Sequence, residues 1–149
     1  MTERSALECI LPHGACCLAR RDVFYDIMCV VTWDVEFTDE FYLWWCGLTD
    51  SVQDAIAARV QMLERMGPSL GFPYSSRLVS ARVAPLRELR VQHRGRPYRV
   101  LYAFDPRRTA ILLLGGDKTG DDQFYDVRVR RAEALYEEHL RQLVDEGRI

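Results

Sequence analysis

The run LRELRVQHRGRPYRVLYAFDPRRTAILLL, residues 86–114, decides the fold. It holds three apolar segments separated by two turn signals. From Leu86 to Gln92 the residues alternate, with Leu89 and Val91 on one side of a strand and Glu88 and Arg90 on the other. His93 to Pro97, with Gly95 inside it, is a five-residue connection. Tyr98 to Asp105 alternates again: Tyr98, Val100, Tyr102 and Phe104 share a face, which leaves Arg99 with Leu101 and Ala103. Asp105-Pro106-Arg107-Arg108 is a second turn, and Thr109 to Leu114 is apolar on both faces, as in a central strand. Successive hairpins make these strands antiparallel. If helices cover the Leu89 and Val91 side, Arg90 points into the uncovered face. Whether Arg99 joins it depends on the strand register, which alternation leaves open.

Upstream, Cys29 to Phe37 reads as a strand, with Val31, Trp33, Val35 and Phe37 alternating with Thr32, Asp34 and Glu36. Thr38 is a natural N-cap, and Asp39 and Glu40 suit the first turn of a helix running to Cys46. Phe41, Trp44, Trp45 and Leu48 fall within i+3/i+4 reach, and Gly47 stops the helix. Thr49-Asp50-Ser51 starts a second helix whose stripe is Val52, Ile56, Val60 and Leu63, ended by Gly67-Pro68. The two helices form an αα-hairpin. Pro68 to Pro85 and Gly115 to Asp122 read as loops. Arg130 to Glu146 is an amphipathic helix with Ala132, Leu135, Tyr136, Leu140 and Leu143 inward. The order β-α-α-β-β-β-α predicts an α+β fold: a small four-stranded antiparallel sheet, the helical hairpin on one face, and a C-terminal helix.

A chain of 149 residues with 48% hydrophobic content suits one domain with a real core, needing neither metal nor disulfide to fold. Residues 1–28 differ from the rest. They read as a variable or disordered leader, or as residues upstream of a true start at Met28, so the domain is expected at 29–149. Within the leader, Cys9, His13, Cys16 and Cys17 lack the paired Cys-x2-Cys spacing of zinc modules, and no metal or other cofactor is expected. The five cysteines, Cys29 and Cys46 included, do not suggest a disulfide framework. No secretory signal is visible, and the longest apolar run, Ile27 to Val31, is too short for a membrane span. The expected setting is cytoplasmic, with reduced thiols.

The net charge of −2 conceals a strong asymmetry. Between Arg77 and Arg108 nine arginines face two acids, Glu88 and Asp105, whereas between Asp34 and Arg65 seven acids face two arginines. A block this basic draws a polyanion to one side of a protein that is slightly acidic as a whole. Arginine suits phosphate because its planar fork donates two parallel hydrogen bonds. The plainer alternative is solvated strand and turn residues, some paired with acids of the helices. Two superficial motifs fail. Gly115-Gly-Asp-Lys-Thr119 lacks the spacing of a phosphate loop, and Asp117, Asp121 and Asp122 lack the calcium-loop pattern.

These stretches carry a family resemblance. Leu86-Arg-Glu-Leu-Arg90, Pro97-Tyr-Arg-Val-Leu-Tyr102 and Ile111 to Lys118, together with Trp33-x-Val-x-Phe-Thr-x-Glu-Phe41 and Gly67-Pro-Ser-Leu-Gly71, resemble the phage-derived branch of the RelE/HigB-like toxins of type II toxin–antitoxin systems. The resemblance spans about Val30 to Leu143. It implies a compact toxin whose concave sheet face holds messenger RNA, often on the ribosome. It also implies neutralisation by a helix-turn-helix antitoxin encoded next to it. The matching positions are Arg90, Arg99, Lys118 and Tyr125, or Phe124 in place of the last. The sequence departs from the pattern at Glu88, where related toxins often carry a further basic residue.

What the resemblance implies is an endoribonuclease that needs no metal. The ribose 2′-hydroxyl attacks the adjacent phosphorus, Arg90 and Arg99 stabilise the charge that builds on the phosphate oxygens, and Tyr125 stacks on a base. Lys118, Tyr125 and His93 are the candidates for proton transfer. Arg87, His93, Arg94 and Arg96 are the wider RNA-binding candidates. Each has a plainer reading: His93 as a solvated turn residue, Lys118 paired with Asp117, Asp121 or Asp122, Tyr125 as core or antitoxin contact, and Trp33, Trp44 and Trp45 as core or partner surface. The competing functions are a non-nucleolytic toxin of the gyrase-poisoning kind and an attenuated toxin that serves as an antitoxin-binding module.

Overall fold

The computed structural model describes residues 32–149; the leader, its Cys9, His13, Cys16 and Cys17, and the first residues of the expected Cys29 strand lie outside this range. The elements are β1 (Val35–Phe37), α1 (Asp39–Cys46), α2 (Asp50–Met66), β2 (Ser75–Arg77), β3 (Arg87–His93), β4 (Arg96–Phe104), β5 (Ala110–Asp117) and α3 (Phe124–Asp145), with a single 3-10 turn at Gly67–Ser69. Among the described residues they build one sheet of five strands in the order β1-β5-β4-β3-β2.

The hairpins β3-β4 and β4-β5 are antiparallel, as alternation and turn spacing predict. Two features correct the expected sheet. First, β1 runs parallel to β5, so the sheet is mixed rather than wholly antiparallel. The chain leaves β1 through the two helices and returns at the far edge of the sheet, so β1 is free to line the open side of β5. Second, Ser75–Arg77 adds a fifth strand on the outer edge of β3. Three polar residues show no alternation for a sequence reading to detect.

The sheet has a core on each face. On one, α1 and α2 place Phe41, Trp45, Val52, Ile56, Val60 and Leu63 against Leu89, Val91, Val100, Tyr102 and Leu112. On the other, Val129, Ala132, Leu135 and Tyr136 of α3 cover Leu86, Leu101, Ala103, Ile111 and Leu113. Each side chain of this size removed from water stabilises the fold by about 1.5–3 kcal/mol. The α1 cap is as predicted: the Thr38 hydroxyl accepts from the Phe41 N–H (3.1 Å) and itself donates to the Leu113 carbonyl, tying the helix start to β5. Trp33 is structural. Its ring lies edge-on to Phe104 (5.3 Å), and its backbone N–H donates to the Glu64 carbonyl.

Two boundaries move. β5 runs through Gly115 and Gly116 to Asp117, where the sequence reading places a loop. A Cβ at Gly115 would lie 2.2 Å from the Trp44 ring, and one at Gly116 would lie 2.8 Å from the Phe124 ring on the opposite face. The two glycines therefore let an aromatic ring press onto the strand from each side. Correspondingly, α3 begins at Phe124, six residues before the apolar period becomes regular, because Phe124 is itself fully buried over Gly116.

Candidate nucleic-acid interface

Strand register settles what alternation leaves open. Arg90 of β3 pairs with Arg99 of β4, and Arg99 pairs with Gly116 of β5, so the three form one row across the sheet. Side chains directly opposite on adjacent strands share a face. Arg90 and Arg99 thus stand side by side on the α3 face, beyond the end of the core that α3 covers.

Glu88 organises the cluster. It lies on the same face two residues from Arg90, with its side chain only 4% exposed. One carboxylate oxygen accepts from Arg90 Nη1 and from Ser76 Oγ, both at 2.9 Å. The other accepts from Tyr125 Oη at 2.7 Å and faces Arg99 Nε at 3.8 Å. Arg99 is 7% exposed at its side chain and also donates to the Tyr98 carbonyl (3.0 Å). Burial pushes the Tyr125 phenol up, the hydrogen bond to Glu88 pushes it further, and Arg99 opposes both less strongly. The net shift is upward, so Tyr125 stays protonated at neutral pH and acts as a donor.

Lys118 follows β5, with its ammonium 4.7 Å above the centre of the Tyr125 ring. Among the described residues it has no carboxylate partner, so the expected alternative of pairing with Asp117, Asp121 or Asp122 does not arise. Arg90 lies over Phe72 (5.4 Å), a ring 78% exposed on the loop before β2. Arg128 of α3 stacks on Phe124 at 4.5 Å, close above Gly116. A cleft of about 410 Å³ between residues 79–83 and α3 opens beside Tyr125.

The four residues singled out as catalytic, Arg90, Arg99, Lys118 and Tyr125, therefore converge. The wider RNA-binding set does not. Arg87 has the parity of Leu89 and faces the α1-α2 side, where it donates to the Tyr102 hydroxyl (3.2 Å) and the Leu70 carbonyl (2.8 Å). His93 has the same parity and closes β3 on that opposite face, with Nε2 buried and unpartnered, so it cannot serve a reaction at the arginine row. Arg94 and Arg96 are exposed at the hairpin tip, Arg94 at a positive φ of 49° and Arg96 paired with Asp117 (3.2 Å). Sequence reasoning missed Phe72 and Arg128. The first sits in a loop with no periodicity, and the second reads as one more exposed helix arginine. It noticed Glu88 only as a departure from pattern, since its partners come from three other elements.

A second polar cluster lies where β4 ends, about 20 Å along the strand from Arg99. Arg107 forks onto Glu36 (2.8 and 3.1 Å) and onto the fully buried Asp105 (2.6 Å), which His139 also contacts at 2.9 Å. Burial alone would raise the Asp105 carboxyl. Hydrogen bonds from His139, Arg107 and the Thr109 N–H outweigh it and hold the group below the ordinary carboxylate range. This network fastens the β4-β5 turn to α3 and β1. Among the described residues no group of three His, Cys, Asp or Glu side chains has metal-binding geometry, and no helix is long and apolar enough to cross a membrane.

The family described as Phage derived protein Gp49-like (DUF891) matches residues 43–137. The chain belongs to this family. The Gp49-like region runs from α1 into the second half of α3 and so contains the whole arginine cluster from Phe72 to Arg128. Two relatives come from Mycobacterium tuberculosis (strain ATCC 25618 / H37Rv). The candidate toxin HigB2 is 38% identical over 104 residues, covering 68% of this chain and 52% of HigB2. The candidate toxin HigB3 is 36% identical over 98 residues, covering 65% of this chain and 84% of HigB3. This Gp49-like chain thus spans about half the length of HigB2 and most of HigB3. Among solved structures, a chain of the intact E. coli RelBE toxin–antitoxin complex aligns with a TM-score of 0.42 at 12% identity, over 57% of this chain and 94% of that one. A double arginine-to-alanine mutant of E. coli toxin RelE in the free state aligns with a TM-score of 0.47, also at 12% identity, over 67% and 97%.

Proposed function

We propose that this Gp49-like protein is the toxin of a toxin–antitoxin pair and an endoribonuclease acting on messenger RNA. The observation that carries the reading is the register pairing of Arg90 with Arg99 on one sheet face, with Tyr125 and Lys118 brought beside them. The similarity to the candidate toxins HigB2 and HigB3 supports it.

RNA supplies its own nucleophile. Attack of a 2′-hydroxyl on the neighbouring phosphorus forms a 2′,3′-cyclic phosphate and breaks the bond to the 5′ oxygen of the next nucleotide, which leaves with a proton. Arg99 and Arg90 donate to the non-bridging oxygens as charge accumulates there, each contributing on the order of 10²–10³ in rate. Tyr125, held protonated, donates a hydrogen bond or supports a base with its ring. Lys118 is the cluster's remaining group for proton transfer. Glu88 is enclosed by its own partners and positions Arg90, Arg99 and Tyr125 rather than meeting substrate. The partner that follows is a helix-turn-helix antitoxin encoded next to it, and the setting for the substrate is the ribosome.

The same carboxylate favours a second reading, in which Glu88 neutralises the two arginines and the protein is an attenuated toxin that mainly binds antitoxin. Incubating purified protein with messenger RNA, with and without ribosomes, separates the two. Fragments ending in cyclic phosphate, reduced about 10²–10³-fold by Arg90→Ala, support the nuclease. Intact RNA under both conditions supports the attenuated toxin.

A further inference from the structure

Arg99 and Arg128 each have a buried Nε with no hydrogen-bond partner among the described residues, as does Arg59 of α2; Arg99 Nε has only the 3.8 Å ionic approach of Glu88. Buried polar groups are nearly always satisfied, and a buried guanidinium N–H without a hydrogen bond calls for an explanation. Both are placed by the same row of the sheet. Arg99 pairs across β4 and β5 with Gly116, and a Cβ placed on Gly116 would meet Arg128 Cζ and Nε at 2.9 Å. Arg128, together with Phe124, thus occupies the space above β5 that a side chain at 116 would fill, at the row position one strand spacing, about 5 Å, from that of Arg99. A single phosphate bridges such a gap when each guanidinium donates to its oxygens at about 2.7–2.9 Å. Stacking on Phe124 holds the Arg128 guanidinium in place, and among the described residues it has no carboxylate partner.

We propose that Arg128 is a third phosphate-binding arginine, sharing one RNA phosphate with Arg99 across the gap left by Gly116. The proposal rests on the reading of this face as an RNA site and adds a residue to it. Glycine at 116 is then a requirement of the site as well as of Phe124 packing. Arg90, one strand further along the row, is left to meet the neighbouring phosphate.

The test is binding of a 2′-O-methyl RNA oligonucleotide, which cannot be cleaved, followed by anisotropy across a salt series with the full chain. Arg128→Ala should weaken binding about ten-fold or more and lower the salt slope by about 0.7, the loss of one phosphate contact on a single strand. Arg128→Lys should keep the slope. In the wild-type protein, inorganic phosphate should shift two arginine Nε–H resonances, those that Arg99→Lys and Arg128→Lys remove, which needs no variant to be stable beyond the assignment. Wild-type affinity and slope in Arg128→Ala, alongside a clear loss in Arg90→Ala, would overturn the role of Arg128 and leave the RNA face standing. Wild-type binding in both variants would remove the RNA face itself.

Discussion

Replacing Glu88 by alanine takes away the one carboxylate on which Arg90, Ser76 and Tyr125 converge and which Arg99 faces. Breaking a buried ion pair by deleting one partner is destabilising by about 3–5 kcal/mol, because the other charge stays buried. Two features place this case at the lower end. The Arg90 side chain is 31% exposed, so water recovers part of its loss, and the 3.8 Å approach of Arg99 is an ion pair without a hydrogen bond. The expected loss for Glu88→Ala is about 3 kcal/mol, or about 10 °C in melting temperature for a chain of this size. Glu88→Gln keeps one carbonyl acceptor, which serves the Tyr125 side or the Ser76 and Arg90 side but not both, and turns its amide N–H groups toward donors on the other, so about 1.5–3 kcal/mol is expected. The urea midpoint and the calorimetric melt measure both. The two substitutions should also separate stability from RNA affinity: Glu88→Gln removes a negative charge from the face proposed to bind RNA and should bind uncleavable RNA at least as tightly as wild type. A Glu88→Ala melt within about 2 °C of wild type would refute the claim that this carboxylate holds the cluster together.

Asp105 sits below its ordinary value near 3.8, so it stabilises the fold above that pH and the contribution fades as pH falls through the lowered value. Asp105→Asn should therefore be about 3 kcal/mol less stable at pH 7, and the gap to wild type should narrow below about pH 4; parallel melting curves at both pH values would contradict this. Gly115→Ala forces a methyl group into the Trp44 ring and should destabilise by about 1–3 kcal/mol. In a Trp44→Ala background the same change should cost much less, as a double-mutant cycle by urea denaturation would reveal. Phe72→Ala removes an exposed ring beneath Arg90 and should leave the melting temperature unchanged while weakening single-stranded RNA binding by about 1–3 kcal/mol; unchanged affinity would exclude Phe72 as a stacking platform.

The elements with strong local periodicity were legible. The β3-β4-β5 meander follows from alternation and two turns, and α1 and α2 from Thr38, the Val52-Ile56-Val60-Leu63 stripe and Gly67. What local pattern cannot encode is pairing at a distance. The parallel placement of β1 depends on how the chain returns after two helices. The strand at Ser75–Arg77 exists because β3 offers it an edge. The early start of α3 and the extension of β5 depend on each other, through Phe124 and Trp44 pressing on opposite faces of Gly115-Gly116. The site divides in the same way. Arg90, Arg99, Lys118 and Tyr125 could be named from the family resemblance, yet only the register brings the two arginines together. Glu88 shows its role only when Ser76, Tyr125 and both arginines stand around it, and Arg128 only once Gly116 lies beneath it. Arg87 and His93 were legible only as wider RNA-binding candidates, and strand parity sends them to the face opposite Arg90.

The most direct test of the central claim is to express the protein in a bacterial host that lacks the antitoxin and to map messenger 5′ ends, comparing wild type with an Arg99→Ala variant whose folding is verified by circular dichroism. The account predicts growth arrest with new 5′ ends inside coding regions for wild type, and neither for the variant. Arrest without new ends, or new ends that persist in Arg99→Ala, would contradict an RNA-cleaving site built on the paired arginines.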